Sequence, residues 1–252
     1  PVGFTLFDNV AVVDVTGTLV SDDSWYNAWY GRTSYAQIRR SLISAATHSA
    51  IAGGKGAIIL NVDSTGGNAS GVEDTANLIR EIVGAGVPMY AHGATMCSAA
   101  YWIPAATGNV FCLETSSVGS VGVISVHTDM SGYYKDMGIK KTVLRVGENK
   151  ALSTPFEPLS DKAKKMELEG MDKLYDVFTS KLAQYLGKTQ QQIKDITDGG
   201  KEFIGQDAVN VGLAKEVISL DNLIRRVQAE MTAKTQDSST QLYSGGAMAK
   251  RS

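Results

Sequence analysis

The chain has 252 residues, with 24 Lys and Arg against 26 Asp and Glu, so its formal net charge is -2. This near-neutral balance argues against a dedicated nucleic-acid or membrane-surface protein, and 43% hydrophobic residues exclude a chain that is disordered throughout. No apolar run approaches the roughly 18 residues that a membrane span needs. Two cysteines, Cys97 and Cys112, are too few for a disulfide scaffold and lack the spacing of metal ligands. Because the sequence starts at Pro1 without a charged and then apolar leader, we expect a trimmed or processed product.

The predicted elements alternate between strands and helices along most of the chain. In chain order they are a strand at 10–15, a helix within 31–52, a strand at 56–62, a helix at 70–83, a strand at 87–91, a small-residue turn at 93–98, a helix at 99–106, strands at 110–113, 121–126 and 142–146, and helices at 160–186, from 189 and at 206–211. Such alternation predicts an α/β domain built on a largely parallel sheet. We assign residues 1–233 to this domain and interpret residues 234–252 as a flexible tail.

Several helix starts carry capping signals, in which a side-chain oxygen accepts a hydrogen bond from a backbone N–H of the first turn. The expected caps are Thr33 or Ser34 for the first helix, Ser70 with Glu73 for the second, Ser160 for the longest, and Thr189 with Gln192 for the one that follows it. The two pairs have the spacing of a capping box, in which the two side chains each satisfy a backbone N–H.

A double glycine, Gly66-Gly67, follows the nearly all-apolar strand at 56–62. Ligands of open α/β sheets bind outside the carboxyl ends of strands, and two bare backbone N–H groups there can stabilise a developing oxyanion. A tight turn into the next helix is the simpler interpretation of a double glycine on its own. The spacing is not G-x-G-x-x-G, so nothing supports dinucleotide binding.

Ser98 is a candidate nucleophile because it follows a strand and opens a helix, where the helix dipole favours negative charge. A serine at a helix start is more often an N-cap. The neighbouring Cys97 could be a thiol nucleophile, but a free cysteine is more often a small buried hydrophobe.

A serine nucleophile needs a base, and the residue types alone leave that base open. His48, His92 and His127 are structural by default, although His127 has Asp129 nearby and the two could be a fragment of a triad. Lys150 stands in a polar turn after a predicted strand, where most lysines are solvated. Composition alone would not select Lys150.

Taken together, these segments resemble the signal peptide peptidase A family of serine proteases, which has the Clp protease/crotonase-like α/β fold with repeated β-β-α units. The stretches that carry the resemblance occur in the family's order and cover roughly residues 10–217: VAVVDVTGTLV, AIILNVDSTGG, MYAHGATMCSAAYWIPAA, TSSVGSVGVISV, GENKALSTPFEPLS and GQDAVNVGLA. Within the family, the chain looks most similar to the phage capsid-assembly (prohead) proteases, also through the segment YGRTSYAQI.

The resemblance implies a Ser–Lys dyad in which Ser98 is the nucleophile and Lys150 is the general base. Ser120, within the G-S-[IV]-G-V segment, would hold the lysine amine. The backbone N–H groups of Gly67 and Ala99 would bind the oxyanion.

Three places depart from the family's pattern. Ala99 and Ala100 follow the nucleophile where glycine is common, and Thr65 stands where proline is usual. Pro104 should kink or shorten the helix that Ser98 opens. None of these departures removes a catalytic group, since Ala99 still supplies an N–H.

A lysine is a base only when it is neutral. Near pH 7 its pKa must fall by about 3 from a reference of about 10.4, which corresponds to about 4 to 5 kcal/mol. Burial without a carboxylate partner can supply that change. We therefore expect the carboxylate of Glu148, two residues from Lys150, to point away from the amine.

The resemblance also implies partners and a location. Scaffold and capsid proteins are the expected substrates, and a ring or dome of identical subunits is the expected assembly, in which some members combine the serine and lysine of neighbouring subunits. The expected location is the host cytoplasm or the procapsid interior, with the bacterial cytoplasm or a membrane-associated site as the alternative. No metal, cofactor, nucleic acid or membrane span is expected.

Three other functions stay open at the level of the sequence. One is a bacterial protease of the signal-peptide-peptidase type that degrades peptides. Another is a Ser–His enzyme of the related Clp type that uses His127. The third is a non-catalytic assembly module, since fold does not fix function.

Overall fold

The computed structural model describes residues 3–248, which form two compact units. The second unit is Gly122–Phe178, and the first unit comprises the described residues before and after it. Within the described residues, every strand belongs to the first unit.

A seven-stranded sheet organises the first unit. The strands are β1 (Thr5–Phe7), β2 (Val10–Thr16), β3 (Thr18–Val20), β4 (Arg32–Ser34), β5 (Ala57–Ser64), β6 (Met89–Cys97), β7 (Val110–Gly119), β8 (Glu202–Ile204) and β9 (Glu216–Val217). The large sheet has the order β1-β2-β5-β6-β7-β8, β9 also pairs with β7, and β3 and β4 form a separate parallel pair. Strands β2, β5, β6, β7 and β9 are parallel, whereas β1 and β8 pair antiparallel. The predicted α/β class with a largely parallel sheet is confirmed.

Helices alternate with these strands along the chain. They are α1 (Tyr35–Thr47), α2 (Val72–Gly84), α3 (Ala99–Ala105), α4 (Ser131–Asp136), α5 (Asp161–Leu186), α6 (Gln190–Thr197), α7 (Gln206–Asn210) and α8 (Leu220–Met248). The predictions of α1, α2, α3, α5, α6 and α7 are confirmed, with ends that shift by a few residues, while α4 and α8 lie where no helix was expected.

The core lies on both faces of the central strands. Most residues of β2 and β5 are buried, which is why their sequences are almost continuously apolar. On one face Leu223, Val227 and Met231 of α8 pack against Val12 and Ile59. Helices α1 and α3 also contact these strands.

The capping predictions have mixed outcomes. Ser34 caps α1, since its Oγ accepts a hydrogen bond from Gln37 N–H at 3.0 Å, and the capping box of Thr189 with Gln192 is present at α6. The box of Ser70 with Glu73 is wrong. Helix α2 begins instead after Gly71, whose φ of 94° turns the chain without any side-chain cap. The left-handed turn at Gly71 leaves Ser70 outside the capping position.

The two strands predicted at 121–126 and 142–146 are also wrong. Both segments lack regular secondary structure, and all but the first of their residues lie in the second unit. Their apolar side chains are 82 to 95% exposed at four positions, which are Ile124, Val126, Leu144 and Val146. These segments have strand-forming sequences, but a strand exists only where a neighbouring strand accepts and donates its backbone hydrogen bonds.

The segment beyond residue 233 continues as a helix. Helix α8 extends to Met248, past the point where the flexible tail was expected to begin, and residues 249–252 lie outside the described residues. The flexibility of this segment stays a prediction. No helix among residues 3–248 combines the length and the apolar character that crossing a membrane requires.

Candidate active site

Ser98 lies at the junction between β6 and α3 with an unusual backbone conformation. Its φ of 55° and ψ of -128° are rare for a residue other than glycine. Its N–H donates to Gly119 O at 2.8 Å, and its carbonyl oxygen accepts from Tyr101 N–H and Trp102 N–H at 2.9 and 3.1 Å. Ser98 occupies the N-cap position of α3, but its side chain makes no capping hydrogen bond. Ser98 is half-buried, and its hydroxyl is available for a role other than capping.

The Gly66-Gly67 turn lies directly against this serine. A Cβ added to Gly66 would stand 2.8 Å from Ser98 Cβ and 3.2 Å from Ala99 N. A Cβ added to Gly67 would stand 1.9 Å from Leu19 O, because β3 pairs with the turn there. Both positions therefore need glycine, and the turn that seemed only a tight connection also borders the candidate nucleophile.

Two backbone N–H groups beside Ser98 remain available. Gly66 N–H donates to Ser64 Oγ at 3.1 Å and Asn68 N–H donates to Leu19 O at 2.9 Å. Among the described residues, the N–H groups of Gly67 and Ala99 have no acceptor. An unpaired pair of N–H groups next to a hydroxyl can donate to the oxyanion that forms when the hydroxyl attacks a carbonyl.

Ser64 contributes to this site and was missed from the sequence. Its side chain is buried, accepts the Gly66 N–H and donates to Gly17 O at 2.5 Å. It therefore links the turn to the start of β3. The available signal was a serine at the end of an otherwise apolar strand, since a buried hydroxyl must find partners.

Ser120 lies at the carboxyl end of β7, beside the end of β6. The residue before it, Gly119, accepts the Ser98 N–H, and Ser120 N–H donates to Lys201 O at 3.0 Å. Ser120 also has a positive φ, of 50°. A Cβ on Gly119 would stand 2.8 Å from Lys201 O, so glycine is needed there as well. The fold thus brings Ser120 to the same sheet edge as Ser98.

Lys150 belongs to the second unit, in a turn closed by its own N–H donating to Gly147 O at 3.0 Å. Its side chain is exposed in the single chain. Glu148 Oε2 lies 3.2 Å from Lys162 Nζ, so this carboxylate is engaged with a different lysine. The pairing of Ser98 with Lys150 stays a prediction.

His92 has structural surroundings. His92 is buried, its Nε2–H donates to Ile218 O at 2.9 Å, and burial lowers its pKa. His127 lies in the second unit. The neighbouring Asp129 accepts the Ser131 N–H at 2.9 Å, and hydrogen bonds from Ser131 hold the pKa of this carboxyl below its usual range. The Asp129 carboxylate therefore stabilises the turn at Ser131.

Cys97 is buried next to Ser98, as expected of a free cysteine. Burial raises the pKa of its thiol, and its Sγ lies 3.5 Å from Ser117 Oγ. A protonated, buried thiol is a poor nucleophile. Within residues 3–248, no three His, Cys, Asp or Glu side chains are grouped as a metal ion would require.

A parallel sheet with a strained serine at a strand-to-helix junction and a glycine turn beside it defines a fold of the Clp protease class. A single-residue mutant of ClpP1 from Listeria monocytogenes superimposes with a TM-score of 0.54 at 15% identity, over 84% of this chain and 94% of that one. At this identity the likeness establishes the fold alone. It confirms the Clp/crotonase-like fold expected from the sequence.

The chain belongs to peptidase family S49, since the model of that family matches residues 82–234, more than half of the sequence. The matched range includes Ser98, Ser120 and Lys150, whereas Gly67 precedes it.

Two curated relatives extend this relationship. Capsid assembly protease C of Escherichia phage lambda is 27% identical over 98% of this chain and 54% of its own length. A putative signal peptide peptidase SppA of Enterococcus faecium is 27% identical over 64% of this chain and 46% of its own length. This chain spans about half the length of these relatives. The expected relationship to signal peptide peptidases and phage capsid proteases is confirmed.

Proposed function

We propose that this chain is a serine endopeptidase that uses a Ser98–Lys150 dyad to cleave scaffold and capsid proteins during maturation of a phage prohead. The observation that carries the proposal is the Ser98 turn, where a hydroxyl without a capping role stands beside the unpaired N–H groups of Gly67 and Ala99. Membership of a peptidase family supports peptide hydrolysis as the reaction performed there.

In the proposed mechanism, Ser98 Oγ attacks the carbonyl carbon of a peptide bond while the neutral amine of Lys150 accepts the hydroxyl proton. Gly67 and Ala99 donate their N–H groups to the oxyanion of the tetrahedral intermediate. Lys150 then gives the proton to the leaving amine as the C–N bond breaks, and water activated by the same lysine releases the acyl-enzyme. Ser120 orients the amine without adding charge.

Because Lys150 is exposed in the single chain, we propose that the active form is an assembly of several subunits. The proposed base must be uncharged to accept a proton, and a cover that excludes water favours the uncharged amine. The apolar side chains exposed in the same unit, Ile124, Val126, Leu144 and Val146, offer a surface for such a cover. A neighbouring copy of the chain is the cover that we propose, in a ring or dome of identical subunits.

The substrate class and the location come from the phage relative. The lambda capsid assembly protease matches nearly the whole of this chain, whereas the Enterococcus relative matches about two thirds of it. We therefore favour scaffold and capsid proteins as substrates, and the procapsid interior or the host cytoplasm as the site of action.

The dyad is tested by incubating the full-length wild type, Ser98→Ala and Lys150→Ala with scaffold protein and following its cleavage by gel electrophoresis and mass spectrometry. We expect both variants to lose at least about 10³-fold in rate, because residues that act as a unit fail together. Lys140→Ala, which removes another exposed lysine of the second unit, serves as the matched control and should cleave normally. Cleavage by Ser98→Ala or Lys150→Ala at the wild-type rate would refute the dyad.

The same experiment separates the alternatives. An inactive His127→Ala beside an active Lys150→Ala would establish a Ser–His enzyme. A wild type that assembles but cleaves neither scaffold protein nor peptides would be a non-catalytic module. Similarity to the Enterococcus relative supports the remaining alternative, a bacterial protease of the signal-peptide-peptidase type that degrades peptides, which predicts faster cleavage of peptides than of scaffold protein.

A further inference from the structure

Residues 21–31, which we call the aromatic loop, expose an unusual density of aromatic side chains. The loop connects β3 to β4 and includes a short 3-10 helix at Asn27–Tyr30. Its aromatic side chains are Trp25, Tyr26, Trp29 and Tyr30, and the two tryptophans are 81 and 82% exposed. Exposed apolar patches of this kind mark binding surfaces in proteins.

The aromatic loop is held in place by hydrogen bonds at its base. The Asp23 carboxylate accepts two hydrogen bonds from Arg40, at 2.8 and 3.1 Å, and a third from Ser34 Oγ at 2.5 Å. The Arg40 guanidinium holds the pKa of Asp23 below its usual range. Asn27 Nδ2 donates to Asp22 O at 2.7 Å. A loop anchored in this way presents its side chains with little loss of conformational entropy on binding.

The aromatic rings also support one another. Trp25 contacts Trp29 edge to face at a centroid distance of 5.9 Å, and Tyr26 contacts Tyr30 in the same way at 6.2 Å. The Arg32 guanidinium lies 5.4 Å from the centre of the Tyr30 ring. Trp25 also contacts Tyr26 at a centroid distance of 6.0 Å, so the four rings form one cluster whose faces suit apolar side chains of a peptide.

The start of the aromatic loop is connected to the glycine turn beside Ser98. Leu19 of β3 pairs with Gly67, and Asn68 N–H donates to Leu19 O at 2.9 Å. Where the aromatic loop begins, Ser21 N–H donates to Asn68 Oδ1 at 3.2 Å. The first residue of the loop therefore contacts the residue that follows the candidate oxyanion donor.

We propose that the aromatic loop binds apolar or aromatic side chains of the extended polypeptide substrate, and so selects the segments that Ser98 cleaves. This assignment rests on the proposed peptidase function. A substrate is the favoured occupant because the loop begins at Ser21, whose N–H donates to the side chain of Asn68, the residue that follows Gly67.

The first test measures binding without cleavage, in full-length Ser98→Ala. The probes are fluorescein-labelled 12-residue peptides with two Phe residues, and counterparts in which Ser replaces both Phe residues. Of the three tryptophans, Trp102 is buried, so quenching by acrylamide reports on Trp25 and Trp29. We expect the Phe peptide to bind and to protect these tryptophans from acrylamide, and the Ser peptide to do neither. Equal protection by both peptides would overturn the proposal.

The second test introduces Trp25→Ser with Trp29→Ser, both in the active protein and in Ser98→Ala. We expect at least about tenfold weaker binding of the Phe peptide and a similar rise in KM for a cleavable form of it, with kcat little changed, because buried tryptophans dominate interfaces. Ile43→Ser, which removes an exposed apolar side chain of α1, is the matched control. An unchanged KM in an active enzyme overturns this proposal alone.

Two further outcomes decide whether the loop acts in substrate selection. If the double variant no longer assembles, by sedimentation velocity, the loop contacts another subunit and the proposal fails. If the wild type cleaves no peptide while Ser98→Ala still binds the Phe peptide through the tryptophans, the proposed function fails and the loop is a peptide-binding site without the selective role in cleavage.

Discussion

The backbone of Ser98 shows how a single residue is fixed by distant parts of the chain. A positive φ in a serine costs of order 1–3 kcal/mol, so the surroundings must hold it. The Ser98 N–H donates to Gly119 O and its carbonyl accepts from the first turn of α3, while Gly66 lies close against its side chain. The sequence predicts a serine at this junction, but not its conformation, because the residues that impose it are far away along the chain.

Ser64 is expected to act as a positioning residue for the oxyanion turn. In Ser64→Ala the Gly66 N–H loses its acceptor. The orientation of the neighbouring Gly67 N–H should then be less well fixed. We expect kcat for peptide cleavage to fall about tenfold or more with KM little changed, since oxyanion donors act mainly in the transition state. Steady-state kinetics on a peptide substrate measures this split.

Ser116→Ala is a matched control for that prediction. Ser116 is buried in β7, and its Oγ accepts the Leu113 N–H and donates to Gly93 O, both at 2.6 Å. Both substitutions remove a buried hydroxyl with one donor and one acceptor, so both should lower the free energy of unfolding by about 1–3 kcal/mol. An equal loss of kcat in the two variants would mean that Ser64 has only a structural role.

At the scale of elements, two strands were predicted too short and two others were predicted where none exists. Both errors have the same physical cause. Strands β6 and β7 extend through small and polar residues to Cys97 and Gly119, because they pair with each other there. The segments at 121–126 and 142–146 have β-branched sequences yet form no strand. Pairing decides where a strand ends, and local propensity does not contain that information. Helices, whose hydrogen bonds are local, were predicted more accurately.

The start of α2 gives a test of stability. Gly71 has a φ of 94°, and a Cβ there would stand 2.9 Å from the Tyr35 ring. Gly71→Ala should therefore lower the free energy of unfolding by about 1–3 kcal/mol, measured by urea denaturation. Ser70→Ala should change it by less than about 0.5 kcal/mol, since Ser70 caps nothing in the structure. If Ser70→Ala lowered the free energy of unfolding more than Gly71→Ala does, the predicted capping box of Ser70 with Glu73 would be supported after all.

At the scale of the whole molecule, the roles of the site residues stay a prediction, and the structure adds where these residues lie. The resemblance implied roles for Ser98, Ser120 and the glycine turn, and the first unit brings them to one sheet edge. It could not predict that Lys150 belongs to a separate unit with an exposed amine. Ser64 was missed because its hydrogen bond to Gly17 O joins residues that are distant in the chain.

From the exposed apolar side chains of the second unit, we predict that copies of the chain assemble with one another and that activity depends on this assembly. Leu144 and Val146 are 90 and 95% exposed, and they precede Lys150 in the same segment. Burying such side chains against a neighbouring copy contributes about 1.5–3 kcal/mol each, so Leu144→Ser with Val146→Ser should shift the protein towards smaller species in sedimentation velocity. Because Lys150 would then remain in water, cleavage should fall at least about tenfold. The control Ile43→Ser should assemble and cleave normally, whereas a double variant indistinguishable from wild type would place the subunit contacts elsewhere.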